Sequence, residues 1–243
     1  QTEKYLDQDL SGWWGSLAKG DFDGDGDEDI LAGNFGLNSQ FVANEAKRLK
    51  LYSADFDQNG SIDPILECYV EDEAYPFPSR DELLDQMVSM RSKFTDYASY
   101  STAKMEDLFS QEELEKAQVL TAATLESYYL ENTPEGFKAT PLPKLLQAFP
   151  IYSILPIDVN RDGNLDFIAG GNQNFTRIRI GMIDAGFGMV TLGDGKGNFK
   201  VLKPNESGIT IKGDIKSTIA LENDSLVLFG VSQGPIESYK IND

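Results

Sequence analysis

The chain has 243 residues, a hydrophobic fraction of 40% and a formal net charge of −19, with 40 acidic and 21 basic residues. This charge argues against nucleic-acid binding, which needs a basic face, and no apolar run reaches the roughly 18 residues of a membrane-spanning helix. The chain contains no histidine, which removes the commonest general base and most zinc sites. Carboxylates that gather around cations, or repel one another at the surface, fit the acidity better.

Both the chain start and the single cysteine carry information. Cys68 cannot form an intramolecular disulfide and lies in an apolar run, so we expect a buried, unreactive strand thiol. The chain begins at Gln1 without a leader, which indicates either a removed signal segment or a piece of a longer protein.

One local plan recurs along the chain: a strand-like segment, an Asp-rich loop with a central glycine, and a second strand-like segment. The copies have their loops at 21–29, 55–63 and 158–166, and a fourth copy, at 213–230, keeps the strand pattern without the acidic loop. Repetition of such a unit predicts an all-β protein of the β-propeller class. Hairpins at 127–137 and 189–202 are expected to supply outer strands, and the Gly195 turn has hairpin chemistry only.

The stretch 79–118 departs from the strand pattern. Ser79 with Glu82 and Ser110 with Glu113 fit the capping box that begins a helix, and apolar residues after the first box follow helical spacing. We therefore predict an insertion of two or three helices between two strands of one sheet. Its apolar stripe either caps the sheet or forms an element that binds a partner.

The three loops have the residue types of an oxygen-ligand metal site. Loop positions 1, 3, 5 and 9 carry Asp or Asn side chains, position 6 is glycine, and position 7 can offer its backbone carbonyl. The candidate metal ligands are Asp21, Asp23, Asp25, Asp27, Asp29, Asp55, Asp57, Asn59, Ser61, Asp63, Asp158, Asn160, Asp162, Asn164 and Asp166. A flexible set of six or seven oxygens favours calcium over magnesium, which prefers a smaller octahedron with retained water.

Two other interpretations of the loops can be weighed from the sequence. An EF-hand needs a bidentate Glu at position 12, where this chain has Ala32, Leu66 and Ala169, so that reading fails. Solvated Asx-rich turns without metal are the remaining alternative. Four carboxylates that converge in the first loop would repel one another without a cation, which favours the metal site. Because the first loop has the most carboxylates, we expect it to bind most tightly.

The loops, with the segments 29–33 and 166–170 that follow two of them, resemble the FG-GAP repeats of integrin-α-type β-propellers. The segments 33–39 and 78–84 are similar to VCBS-repeat proteins of Bacteroidetes type. The resemblance implies calcium in the three loops, a single propeller domain over 1–243 that matches the C-terminal part of longer exported, cell-surface proteins, and a metal-free fourth unit. The ring is expected to hold about four units, either partial or compactly closed, with the first unit lacking its outer strands.

The function expected from these features is a non-enzymatic, extracellular or cell-surface binding module with structural calcium, whose partner is a protein, a glycan or another segment of a longer parent chain. The alternative is a carbohydrate-active enzyme, a glycoside hydrolase or lyase, since such hydrolysis needs only two suitably placed carboxylates. Calcium sensing is disfavoured because millimolar extracellular calcium keeps such sites filled. Trp13 and Trp14 fit packing within a blade better than sugar stacking.

Overall fold

The computed structural model describes residues 5, 6, 8–221 and 223–241. The predicted domain range 1–243 therefore includes eight positions, among them Gln1 and Asp243, that lie outside the described residues. The strands, in chain order, are β1 (Ser16–Gly20), β2 (Asp29–Gly33), β3 (Leu49–Ala54), β4 (Asp63–Val70), β5 (Glu73–Pro76), β6 (Gln118–Ala122), β7 (Tyr128–Thr133), β8 (Gly136–Pro141), β9 (Ile151–Ile157), β10 (Asp166–Gly171), β11 (Met189–Gly193), β12 (Phe199–Val201), β13 (Ile215–Leu221), β14 (Leu226–Val231) and β15 (Ile236–Lys240).

The helices are short. They are α1 (Arg80–Gln86), α2 (Tyr97–Ser101), α3 (Met105–Leu108), α4 (Gln111–Lys116) and α5 (Pro204–Ser207), with 3-10 helices at Val88–Ser92 and Lys144–Gln147. In the part of the chain that the structure describes, no helix has the length and apolar character needed to cross a membrane.

The strands form four antiparallel sheets. The first sheet has the order β1-β2-β7-β8, the second β5-β4-β3-β6, the third β12-β11-β10-β9 and the fourth β13-β14-β15. Among the described residues none of these sheets closes on itself. The chain is thus mostly β, as the repeated strand pattern predicts.

The chain divides into two compact units. The first unit comprises Gln1–Gln40 and Leu125–Asp243, and the second comprises Phe41–Thr124. The first unit contains the first, third and fourth sheets, whereas the second unit contains the second sheet and α1 to α4. In sequence, the second unit lies between β2 and β7, two neighbouring strands of the first sheet.

The two hairpins predicted as outer strands occupy those places. In the first sheet β7 pairs with β2, with Ile30 opposite Leu130, and in the third sheet β11 pairs with β10, with Ile168 opposite Val190. The expectation that the first repeat lacks its outer strands is therefore wrong. Those strands are β7 and β8. Because the whole second unit separates them from β2 in sequence, a local sequence pattern cannot assign them to the first repeat.

In the first unit, β1 and β13 both lie against β9. Gly33 of β2 permits the close approach of β9 to the first sheet, because a Cβ there would meet the Ile151 carbonyl oxygen at 2.7 Å. The core between the sheets is rich in aromatic and branched side chains, including Phe22, Phe149 and Phe167, each fully buried. Removal of such a side chain from a close-packed core costs about 3–5 kcal/mol.

In the second unit, the helices follow β5 and precede β6 in the chain, and they cover the sheet to which both strands belong. Leu83, Met87 and Phe94 share one buried cluster with Ile65 and Phe56 of the sheet and its loop. The apolar stripe therefore packs on the sheet, and the structure has four short α-helices where the periodicity indicated two or three. Both predicted capping boxes are present. In the same unit Cys68 is buried on β4, as predicted.

Candidate metal centres

Each Asp-rich loop is the tip of a β-hairpin, and all three hairpins have the same register. The residue before loop position 1 pairs with position 9, as Gly20 with Asp29, Ala54 with Asp63 and Ile157 with Asp166. Position 9 is thus the first residue of the second strand, and its side chain is buried in all three cases. The sheet therefore fixes one end of every loop.

The aspartate at position 1 holds the turn closed in each loop. One of its carboxylate oxygens accepts a hydrogen bond from the backbone N–H of the glycine at position 6. The nitrogen–oxygen distances are 3.1 Å for Gly26 to Asp21, 2.9 Å for Gly60 to Asp55 and 3.0 Å for Gly163 to Asp158. Its second oxygen accepts from the backbone N–H of position 4 or 5, at 2.7–3.2 Å.

Two successive Asx turns form the middle of each loop. The side-chain oxygen of position 3 accepts from the N–H of position 5, and that of position 5 accepts from the N–H of position 7. In the third loop these bonds are Asp162 N to Asn160 Oδ1 at 3.1 Å and Asn164 N to Asp162 Oδ1 at 2.8 Å. The first and second loops repeat both bonds, at 2.8–3.2 Å. The side chains that the sequence assigns as ligands thus also shape the backbone.

The glycine at position 6 is required by its backbone conformation. Its φ is +95° at Gly26, +91° at Gly60 and +88° at Gly163, and a Cβ at any of the three would lie in open space. Side chains are disfavoured there by φ alone. Position 4 also has positive φ, from +58° to +78°, and the sequence analysis did not single it out because the residues there are Gly24, Gln58 and Arg161.

In the first and third loops, the buried aspartate at position 9 connects the loop to the third strand of its sheet. Its Oδ2 accepts the N–H of position 2, at 3.1 Å for Phe22 to Asp29 and 3.0 Å for Val159 to Asp166. Its Oδ1 accepts a backbone N–H from the third strand of the sheet, Asn132 to Asp29 and Gly193 to Asp166, each at 2.8 Å. The first and third loops are therefore built in the same way.

The second loop has a different anchor. Phe56 N donates to Asp63 Oδ2 at 3.1 Å, as in the other loops. The remaining oxygen, Oδ1, accepts the side-chain amide of Gln86 at 3.4 Å, and Gln86 is the last residue of α1. A helical side chain replaces the backbone N–H of a third strand.

Tyr129 belongs to the first site and was missed by the sequence analysis. Its hydroxyl donates to Asp29 Oδ2 at 2.7 Å, and burial together with this bond raises the pKa of Tyr129 far above its ordinary value. Tyr129 is 100 residues from Asp29 in sequence, and the residue pattern of β7 predicts only that its side chain belongs to the core.

Carboxylates converge in the first two loops. One carboxylate oxygen from each of Asp21, Asp23 and Asp29 lies within 4.8 Å of the other two, and the same holds for the second triad, Asp55, Asp57 and Asp63. These are positions 1, 3 and 9. The third loop has Asn160 at position 3, so its corresponding set has two carboxylates and an amide oxygen. Such oxygen-only sets are suited to a hard cation.

The negatively charged side chains of the first loop repel one another. Burial, followed by the Coulombic effect of neighbouring aspartates, raises the pKa of Asp27, and burial raises the pKa of Asp23 as well. Asp27 Oδ1 is shielded from solvent and has no hydrogen-bond donor among the described residues, and a hydrogen bond from the Asn132 side chain to the Asp27 carboxylate only partly offsets the rise in its pKa. Negative charge in this loop is thus incompletely compensated by protein groups, which a cation would correct.

In the third loop, the pKa values move in opposite directions. Burial raises the pKa of Asp166, although the N–H groups of Gly193 and Val159 act against this. Hydrogen bonds from the Asn164 backbone and the Asn160 side chain lower the pKa of Asp162, which lies at the surface.

The turn between β11 and β12 forms a hairpin, as predicted, and lies beside both loops of the first unit. Asp194 Oδ1 accepts from the backbone N–H groups of Lys196 and Asn198 within the turn. The N–H of Gly197 donates to the Phe22 carbonyl at 3.2 Å, and Gly193 donates to Asp166. The turn, together with the last residue of β11, therefore connects the first loop with the third.

No protein-family model, no curated protein and no solved structure matches this chain. The interpretation of the loops therefore depends on their residues and their geometry.

Proposed function

We propose that the chain is a calcium-stabilised, propeller-type binding module that acts outside the cell or at its surface without catalysing a reaction. The observation that carries the proposal is the equivalence of the three loops, which share register, hydrogen bonds and positive-φ positions. In two of them three carboxylates converge. Such a repeated oxygen-rich loop is best explained by one cation per hairpin, because a chance acidic turn would not recur in register.

Calcium would be held by the side chains at positions 1, 3, 5 and 9 and by the carbonyl at position 7. The first and second loops have an all-carboxylate triad, whereas the third has Asn160 in that set. Counted over positions 1, 3, 5 and 9, the first loop has four carboxylates and the second and third have three each. Since affinity rises with the number of charged ligands in a site of given rigidity, we expect the first loop to bind most tightly. Three calcium ions would add six positive charges to a chain of net charge −19.

The role of calcium in this proposal is structural. Position 9 is buried in the sheet in each hairpin, so a bound ion would stabilise the folded hairpin. An ion at a hundredfold excess over its dissociation constant contributes about 2.7 kcal/mol per site. For a chain of this size, that corresponds to a rise in melting temperature of roughly 5–10 °C.

The first test is thermal unfolding with calcium and with an excess of chelator. The proposal expects the melting temperature to fall by several degrees in chelator, and magnesium at the same concentration to restore only a small part. Superimposable curves with and without chelator would contradict structural calcium.

The binding role needs a separate test, because the calcium sites identify a scaffold rather than its partner. A glycan array and a pull-down from the native cell envelope, each performed in calcium, address the glycan and the protein partner respectively. Saturable binding that is lost in chelator supports the module. Turnover of a polysaccharide by the purified chain, abolished by a single Asp or Glu substitution outside the loops, would replace it with an enzyme.

A further inference from the structure

The connection between β10 and β11 contains a compact loop at 174–182 that the metal centres do not use. An isolated antiparallel bridge closes it, with the Gln173 N–H donating to the Ile183 carbonyl at 2.8 Å and the Ile183 N–H donating back at 3.1 Å. Within it the Thr176 hydroxyl donates to the Gly181 carbonyl. The loop is therefore a defined protrusion rather than an extended connection.

Buried polar side chains fix the base of this loop. The amide of Asn172 donates to the Gly186 carbonyl at 2.7 Å and accepts the Gly186 N–H at 2.8 Å, and it also donates to the Gly213 carbonyl. Asp214, also buried, accepts the N–H of Asn174 at 2.9 Å. A loop on such a rigid base is held in one place, which is the usual arrangement of loops that bind.

The loop itself exposes large apolar side chains. Phe175 is 63% exposed, Ile178 101% and Met182 69%. Three such residues within eight positions do not contribute to the core, and grouped apolar exposure of this kind marks an interaction site.

The same loop is cationic in an acidic chain. Arg177 and Arg179 are exposed, and residues 173–183 include no Asp or Glu, although the chain has a net charge of −19. The loop is therefore complementary to an anionic surface. Cationic and apolar side chains alternate in this loop, because Arg177 and Arg179 flank Ile178.

We propose that the 174–182 loop docks on an anionic lipid bilayer, with Phe175, Ile178 and Met182 entering the interface and both arginines at the depth of the headgroups. Segments that bind the membrane interface have this arrangement, with apolar side chains at the boundary of the acyl chains and basic side chains among the headgroups. A bilayer is favoured over a protein partner by shape. A fully exposed Ile178 would need a matching pocket in a rigid partner, whereas a fluid interface deforms around it.

The test is sedimentation of the intact protein with vesicles of phosphatidylcholine alone and of phosphatidylcholine with phosphatidylglycerol, in calcium. The variants are Ile178→Ser, Phe175→Ser and the pair Arg177→Gln/Arg179→Gln. Matched controls are Ile236→Ser, since Ile236 is 73% exposed on β15 of the same unit, and the pair Lys200→Gln/Lys240→Gln, which removes two exposed cations elsewhere in that unit. Unchanged melting temperatures will show that each variant is folded.

The parent is expected to bind the anionic vesicles more tightly than the neutral ones. Each serine variant should weaken partitioning about tenfold, and the arginine pair should weaken binding to anionic vesicles by about fivefold for each charge. The controls should bind like the parent. Equal binding of parent and loop variants, which calcium bridging of acidic residues to lipid would produce, overturns the proposal. So does the absence of vesicle binding, including the case in which light scattering shows the loop joining two copies of the chain.

Discussion

The first and second loops have the same backbone network but are held by different parts of the chain. In the first loop, Asp29 accepts bonds from Phe22, from the Tyr129 hydroxyl and from the Asn132 backbone. In the second, Asp63 accepts from Phe56 and, at the longer distance of 3.4 Å, from Gln86. A helix can therefore replace the third strand as the support of such a loop.

This difference explains why the helical insertion belongs to the architecture. The second sheet places β5 beside β4 only from Glu67 to Val70, so no strand reaches Asp63 from that side. α1 supplies Gln86 at that place, and its Leu83, with Met87 directly after the helix, is buried in the same unit. The insertion therefore supports the second Asp-rich loop in addition to capping the sheet.

The largest effect is expected when the buried position 9 is truncated in each unit. Asp29→Ala leaves three donors without their acceptor and should destabilise the first unit by about 3–5 kcal/mol. Asp63→Ala should cost the second unit less, about 1–3 kcal/mol. Denaturant unfolding in chelator measures both without the contribution of the ion. Equal costs would break the distinction between the two anchors.

The next effect concerns the feature that the loops share. Gly26→Ala, Gly60→Ala and Gly163→Ala should each cost about 1–2 kcal/mol, because a side chain is strained at these φ values although space is open. Each should also weaken calcium binding at its own loop.

The matched control for these substitutions is Gly181→Ala. Gly181 has φ +78° and open space where a Cβ would lie, but it is outside the Asp-rich loops. It should cost a similar free energy of unfolding and leave calcium affinity unchanged. If the three loop variants differ widely from one another in cost, the loops are not equivalent.

A smaller effect is expected at the helical anchor of the second loop. Gln86→Ala removes one long hydrogen bond and should destabilise the second unit by about 0.5–1.5 kcal/mol, with weaker calcium binding at the second loop only. Gln111→Ala is the control, since Gln111 bonds to Glu115 on α4 at the surface. Calcium titrations of variants that retain a single intact loop report this. Loss of affinity at the first loop as well would show that Gln86 acts through general instability.

The smallest effect is a pH dependence in the third loop. Burial raises the pKa of Asp166 in the folded chain, so the folded state binds this proton more readily than the unfolded state. In chelator, the free energy of unfolding of the parent minus that of Asp166→Asn should therefore decrease as the pH rises from 3.8 through the raised pKa, and then remain level. Denaturant unfolding across this range measures it. A difference that increases with pH would contradict the assignment.

Many features of this molecule depend on residues that are close in sequence, and those features could be predicted. The loops, their glycines, the hairpins and both capping boxes each depend on residues within about ten positions, so spacing alone indicates them. Long-range pairing could not be predicted in the same way. The partnership of β2 with β7, and with it the contact of Tyr129 with Asp29 across 100 residues, leaves no local signal.

The positive φ of Gln58 and Arg161 was also beyond sequence analysis. Neither residue type favours that conformation, and the surrounding hydrogen bonds of the loop impose it. The second anchor had no signal either, because Gln86 reads as an ordinary residue near the end of a helix.

Isothermal titration of the chelator-treated protein with calcium, with magnesium as competitor, tests the central claim most directly. The account predicts three calcium ions per chain. Stoichiometry should fall by one in each of Asp21→Asn/Asp23→Asn, Asp55→Asn/Asp57→Asn and Asp158→Asn/Asp162→Asn, with the first loop the tightest site. Heat consistent with no site, or a stoichiometry unaffected by these variants, would contradict it.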